Sequence, residues 1–70
     1  MNYKNILFEI SDSVAEIKLN RSELLNSFNY EMADEFLDAL NKCNEDINVR
    51  AIVLTGVGRA FCAGQDLEEA

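Results

Sequence analysis

Histidine is absent from this chain, and that removes Ser-His and Cys-His nucleophilic dyads and histidine-bearing zinc sites. Cations are scarce too. Lys and Arg number 6 against 13 Asp and Glu, a formal net charge of −7. Non-specific nucleic-acid binding needs clustered cations to neutralise phosphates, so the balance argues against it. An anionic small ligand remains open, because a few local cations suffice for one. The only cysteines, Cys43 and Cys62, allow at most one disulfide. No apolar run is long enough to span a bilayer, and Met1-Asn2-Tyr3-Lys4-Asn5 shows no secretory or transit pattern. These absences lead us to expect a cytoplasmic setting with reduced thiols, no membrane partner and no metal.

What is present reads as a globular chain: 49% hydrophobic residues with no proline. Its 70 residues allow one small domain at most. A chain of this size buries about 60% of its unfolded surface and is marginal without help. Ile6, Phe8 and Ile10 alternate with Leu7 and Glu9, as on a strand. Ser11-Asp12-Ser13 is a turn cluster. Alternation resumes from Val14 to Leu19, with Ala15, Ile17 and Leu19 opposing Glu16 and Lys18. The short gap predicts an antiparallel hairpin.

Residues 20–27 read as a loop. Asn29 is a good helix N-cap, and Glu31 and Asp34 follow in the first turn, where the dipole favours negative charge. Met32, Phe36, Leu40, Cys43 and Ile47 recur at helical steps, with Ala33, Leu37 and Ala39 widening the stripe. The helix exits over Asn44–Asn48. Residues 50–55 form a continuous apolar run, which predicts a strand buried on both faces. The fold class is therefore α/β, in the order strand, strand, helix, strand, loop, start of helix. The second and third strands are joined by a parallel crossover, expected to be right-handed. A further helix is expected to begin at Asp66-Leu67-Glu68-Glu69-Ala70. Such a start leaves unpaired donors and an uncovered crossover. We therefore read residues 1–70 as the N-terminal portion of a larger domain.

The densest signal is Gly58-Arg59-Ala60-Phe61-Cys62-Ala63-Gly64-Gln65-Asp66-Leu67. It is not a dinucleotide fingerprint, because Phe61 stands where the third glycine belongs. It is not a Walker loop either, because Gln65-Asp66 follows Gly64 in place of Lys and Ser or Thr. A loop leaving the carboxyl end of a parallel strand is the usual site of function in α/β proteins. If a helix starts near Asp66, the N–H of Gln65 points outward at the positive end of its dipole, and suits an anion or a developing oxyanion. The plainer reading stays open at this point. Gly64 can simply mark a strand-to-helix turn capped by Asp66.

Val49-Arg50-Ala51-Ile52-Val53-Leu54-Thr55-Gly56 and Arg59 to Leu67 together resemble the crotonase superfamily of enoyl-CoA hydratases and isomerases. Ile17-Lys18-Leu19-Asn20-Arg21 resembles that family's second strand and its exit. Asn26-Ser27-Phe28-Asn29 resembles the approach to its first helix. The resemblance implies a spiral of ββα turns, of which this chain would be the N-terminal part. It implies an acyl-CoA thioester as ligand, with coenzyme A part of the substrate and no separate cofactor. Gln65 would supply one of two oxyanion-hole N–H groups, from its backbone. The carbonyl of Ala63 would meet the adenine amino group. Leu24, Ala63, Gly64, Gln65, Asp66 and Leu67 would line the bound acyl-CoA. Asp66 suits a helix cap equally well. The family's trimers, or pairs of trimers, are expected of a full-length member.

One departure concerns the loop. Family members often carry Arg-Pro-x-Lys-x-Asn where this chain has Arg21-Ser22-Glu23-Leu24-Leu25-Asn26. Leu24 thus replaces a lysine that approaches the CoA phosphates. Arg21 is a candidate substitute, although a loop arginine is more often simply solvated. Cys62-Ala63-Gly64-Gln65 looks most like isomerases of phenylacetate degradation, which act on ring-epoxide CoA thioesters. The second oxyanion donor and the proton-transferring acids would lie beyond residue 70. Glu9, Glu16, Glu23, Glu31, Glu35, Glu45, Glu68 and Glu69 read as solvated surface. Cys62 reads as a small packing residue. Two other readings compete with the enzyme. One is a non-catalytic truncated product: a CoA-binding remnant, an assembly partner of full-length subunits, or an unfolded pseudogene product. The other is an interaction domain that pairs through the helix over residues 29–47.

Overall fold

In the computed structural model, which describes residues 2–69, the two alternating segments form the expected hairpin. Strand β1 (Ile6–Ser11) pairs antiparallel with β2 (Val14–Leu19), from Ile6 opposite Leu19 to Ser11 opposite Val14. Asp12 and Ser13 connect them with φ of 52° and 68°. Two positive φ values in a two-residue connection match the right-handed twist of the strands it joins. Polar Asp and Ser tolerate this conformation better than an apolar residue would.

Helix α1 (Tyr30–Glu45) begins where Asn29 caps it, the side chain accepting from the Met32 N–H at 2.8 Å. Met32, Ala39 and Cys43 face inward, and so does Glu35. Met32 and Ala39 join Ile6, Ile17 and Leu19 in the core, and Phe8, Phe28, Phe36, Leu40 and Cys62 pack around it. Phe28 meets Phe36 edge to face, ring centroids 5.8 Å apart. Each large aliphatic side chain buried here contributes about 1.5–3 kcal/mol.

Three details of the helix differ from expectation. Ile47 is 94% exposed, because α1 stops at Glu45 and Asp46 turns extended, so the helical phase is lost before it. Leu37 is exposed on the far side of α1. Glu35 is buried rather than solvated. One carboxylate oxygen accepts the backbone N–H groups of Lys4 and Asn5 at 2.9 and 2.8 Å, and the other accepts the Asn5 side-chain amide. It anchors the lead-in to β1, and those three bonds make its burial tolerable.

Strand β3 (Ala51–Gly56) pairs parallel with β2, from Val14 opposite Ala51 to Leu19 opposite Gly56, giving the order β1-β2-β3. The crossover through α1 is the expected one. The burial is not. Ile52, Val53 and Leu54 are 46, 42 and 39% exposed. The reason is cover: α1 packs chiefly on β1 and β2, so Ile52 and Leu54 at the sheet edge are covered only in part, and Val53 lies with Glu16 on the opposite face. Cys43 and Cys62 are free thiols. Among the described residues no helix is long and apolar enough to cross a membrane.

Candidate functional site

The site is built where β3 ends. Gly56 closes the strand in a place too tight for any side chain. A Cβ there would sit 2.5 Å from the Phe61 carbonyl and 2.8 Å from the Asn26 amide. The chain then turns through residues 57–61 and runs back along residues 25–28.

Asn26 fixes that turn. It is fully buried with φ of 58°, a conformation asparagine tolerates. Its Oδ1 accepts the Arg21 N–H at 2.7 Å, and its Nδ2 donates to the carbonyls of Val57 and Ala60 at 2.9 and 2.8 Å. One side chain thus ties the loop after β2 to the loop after β3. Sequence reading placed Asn26 only as part of a resemblance. The available signal was an asparagine in a polar loop, which gives no hint of partners 31 and 34 residues away.

Residues 63–66 lie beside residues 25–28 like a short strand. The Ala63 N–H donates to the Leu25 carbonyl at 2.9 Å, the Phe28 N–H to the Gly64 carbonyl at 2.8 Å, and the Asp66 N–H to the Phe28 carbonyl at 2.7 Å. Phe28 therefore bridges Gln65 in parallel. In such a pairing Phe28 bonds to the residues on either side of Gln65, so the N–H and carbonyl of Gln65 itself turn away. Among the described residues the Gln65 N–H meets no acceptor. Gly64 has φ of 106°, with no atom within 4 Å of where a Cβ would stand. Backbone conformation, not crowding, requires glycine here. Its N–H contacts the Cys62 sulfur at 3.4 Å, and half-buried Cys62 packs on the core as expected.

Asp66 does cap a turn. Its Oδ1 accepts the Glu68 N–H at 3.0 Å and its carbonyl accepts the Glu69 N–H at 3.2 Å. The described residues of this turn run to Glu69. The Gln65 donor is presented by its pairing with Phe28, just ahead of this turn. Glu69 reaches back to the Tyr30 N–H at the start of α1.

Arg21 departs most from expectation. It is 7% exposed, not solvated, and its guanidinium is spent inside the chain. Nη1 donates to the Ser27 carbonyl at 2.6 Å and Nη2 pairs with Asp66 Oδ2 at 3.2 Å. It cannot stand in for a phosphate-binding lysine without breaking both contacts. Leu24 ends a 3-10 turn (Ser22–Leu24) and is 48% exposed, next to the Leu25 carbonyl that holds Ala63. Ala63, Gly64, Gln65 and Leu67 are all exposed. Asp66, between them, is half-buried with both carboxylate oxygens engaged. Surface clefts of about 310 Å³ over Leu7, Glu9, Glu16 and Lys18, and about 460 Å³ over Leu40, Asn44 and Val49, lie elsewhere.

Comparison with known proteins gives the family and the fold. The chain belongs to the enoyl-CoA hydratase/isomerase family, whose sequence pattern matches residues 9–70. It is 49% identical over 67 residues to a probable enoyl-CoA hydratase of Rhodobacter capsulatus, covering 96% of this chain and 25% of that protein. It is 45% identical over 64 residues to a 1,2-epoxyphenylacetyl-CoA isomerase of Escherichia coli, covering 91% and 24% respectively. The crystal structure of an enoyl-CoA hydratase/isomerase from Xanthobacter autotrophicus Py2 superposes with a TM-score of 0.92 at 39% identity, covering 96% of this chain and 25% of that one. The chain spans about a quarter of the length of the curated relatives it matches. The α/β, crotonase-like fold class expected from the sequence is the one found.

Proposed function

We propose that this chain carries the thioester-recognition edge of an acyl-CoA hydratase or isomerase, with the backbone N–H of Gln65 donating to the thioester carbonyl oxygen. The single observation behind this is the Phe28–Gln65 bridge, which turns that N–H away from its own chain with no acceptor among the described residues. When water adds to the β-carbon of an enoyl thioester, or a base removes a proton to shift its double bond, negative charge arrives on that oxygen. A fixed donor aimed there is typically worth about 3 kcal/mol to the transition state. The Ala63 carbonyl accepts from the adenine amino group, and Leu24, Gly64 and Leu67 line the ligand. Asp66 serves through its contacts with Arg21 and the turn it caps.

Proton transfer is a separate matter. The Asp66 carboxylate, adjacent to Gln65, is engaged on both oxygens. This chain therefore polarises a thioester, and the acid and base come from elsewhere in the assembled enzyme, a trimer or hexamer. The Cys62-Ala63-Gly64-Gln65 stretch and the likeness to a 1,2-epoxyphenylacetyl-CoA isomerase favour a ring-epoxide thioester as the substrate.

The test is the carbonyl stretch of isotope-labelled crotonyl-CoA in infrared spectra. Binding should move it to lower frequency with the wild-type chain and with Gln65→Ala, which keeps the N–H. Gln65→Pro removes the N–H and should abolish the shift. An equal shift with Gln65→Pro would sink the reading. No turnover of crotonyl-CoA is expected from residues 1–70 alone.

A further inference from the structure

We infer that Arg21 and Asp66 are positioning residues that hold the Gln65 N–H in its donating orientation; this rests on the oxyanion reading above and adds what keeps the donor still. Gln65 is paired with Phe28 by an isolated bridge, outside the three-stranded sheet. Apart from the Ala63–Leu25 bond on one side, such a bridge has no flanking ladder to stop it rocking. Arg21 braces it from both sides. Nη1 holds the carbonyl of Ser27, the residue before Phe28, and Nη2 holds the carboxylate of Asp66, the residue after Gln65. The second Asp66 oxygen takes the Glu68 N–H, so the carboxylate cannot rotate freely.

Energetics favour a geometric role. The Arg21 and Asp66 side chains are 9 and 17% exposed, so each has lost much of its hydration. An ion pair in that setting contributes little net stability compared with apolar packing, whereas removing one partner is costly. Its distinctive property is direction, because a planar guanidinium fixes the angle between its two acceptors and an ammonium does not. Direction is what an oxyanion donor needs, since misplacement on the ångström scale forfeits much of its effect.

Two NMR measurements on the ¹⁵N-labelled chain test this, using Asp66→Asn, Arg21→Met and Arg21→Lys. The first is amide exchange without ligand. The amides of Phe28 and residue 66 should exchange about tenfold faster in Asp66→Asn, and faster still in Arg21→Met, while the β1–β2 ladder keeps its protection. Arg21→Lys, which keeps the charge and loses the fork, should recover only part. Unchanged exchange at both amides with an intact ladder would overturn the brace. If Arg21→Met gives no dispersed spectrum, Asp66→Asn alone decides.

The second measurement titrates acetoacetyl-CoA and free CoA while following the Gln65 amide. Asp66→Asn should weaken acetoacetyl-CoA binding about tenfold and leave free CoA, which has no thioester carbonyl, nearly unchanged. Equal weakening of both ligands would reduce the pair to a structural clamp and overturn the positioning role. A wild-type Gln65 amide that ignores acetoacetyl-CoA would overturn the oxyanion reading itself. The two failures are distinguishable, because exchange reads the brace with no ligand present.

Discussion

Strands β2 and β3 lie side by side and in register, and both are rich in aliphatic residues, yet their surroundings are opposite. Ala15, Ile17 and Leu19 of β2 are 0, 0 and 1% exposed, while Ile52, Val53 and Leu54 of β3 are 46, 42 and 39% exposed. The difference is what stands over them. Helix α1 packs chiefly on β2 and β1 and covers Ile52 and Leu54 only in part, while Val53 shares the opposite sheet face with Glu16. Hydropathy records how much cover a strand wants, not how much it receives. The second lesson concerns the site. The loop after β3 is held in place without help from a buried β3. Polar contacts from Asn26 and Arg21 hold it to the loop after β2.

The sharpest way to break this comparison is Ile17→Ala. It should cost about 2–5 kcal/mol in urea unfolding of the chain, through lost burial and a residual cavity. Ile52→Ala on β3 should cost well under half as much, and equal costs would show that β3 is covered after all. Next comes Asn26→Ala, which leaves the Arg21 N–H and the Val57 and Ala60 carbonyls without their partner. About 1–3 kcal/mol should be lost, with chemical-shift changes concentrated in residues 57–66. A loss without changes there would separate Asn26 from the site. Val53→Thr should fall within about 0.5 kcal/mol of wild type, because it alters an exposed position.

The smallest effect is one of pH. The Tyr3 hydroxyl donates to Asp38, and Lys42 lies 3.4 Å from the same oxygen. The Tyr3 hydrogen bond first, and then the Lys42 charge, hold the Asp38 carboxyl below its ordinary range. A group depressed on folding contributes stability that is present above its unfolded pKa, near 4, and lost as pH falls through its lower folded value. Asp38→Asn should therefore flatten the acid limb of a urea-midpoint profile slightly and leave neutral pH almost unchanged. An acid limb identical to wild type would remove Asp38 from the account.

Much of the architecture was legible because its causes are local. The hairpin follows from alternation around Asp12-Ser13, and the start of α1 from Asn29 with an acidic first turn. The parallel crossover follows from the order of elements. What was not legible depends on partners far along the chain. Glu35 and Arg21 look like solvated charges until Lys4, Asn5, Ser27 and Asp66 are placed around them. The inward face of α1 includes that glutamate, so a stripe drawn from apolar residues alone took in Leu37 and Ile47, both of them exposed. At the site, the glycine stretch marked the place and the family resemblance named Gln65. An outward Gln65 N–H was expected from a helix start near Asp66; the Phe28 pairing that turns it outward is encoded by no local pattern.

That pairing also bears on the order of events in folding. Everything from the start of α1 to the end of β3 lies between Phe28 and Gln65. Closing so long a loop for a single bridge returns little energy per unit of entropy lost. The hairpin and helix should therefore form first, and the ligand-facing edge should close last and reopen first. Pulse-labelled amide exchange during refolding should show the β1–β2 ladder protected before Phe28 and Asp66. The chain could then lose and regain its recognition edge many times over within the lifetime of a single folded core.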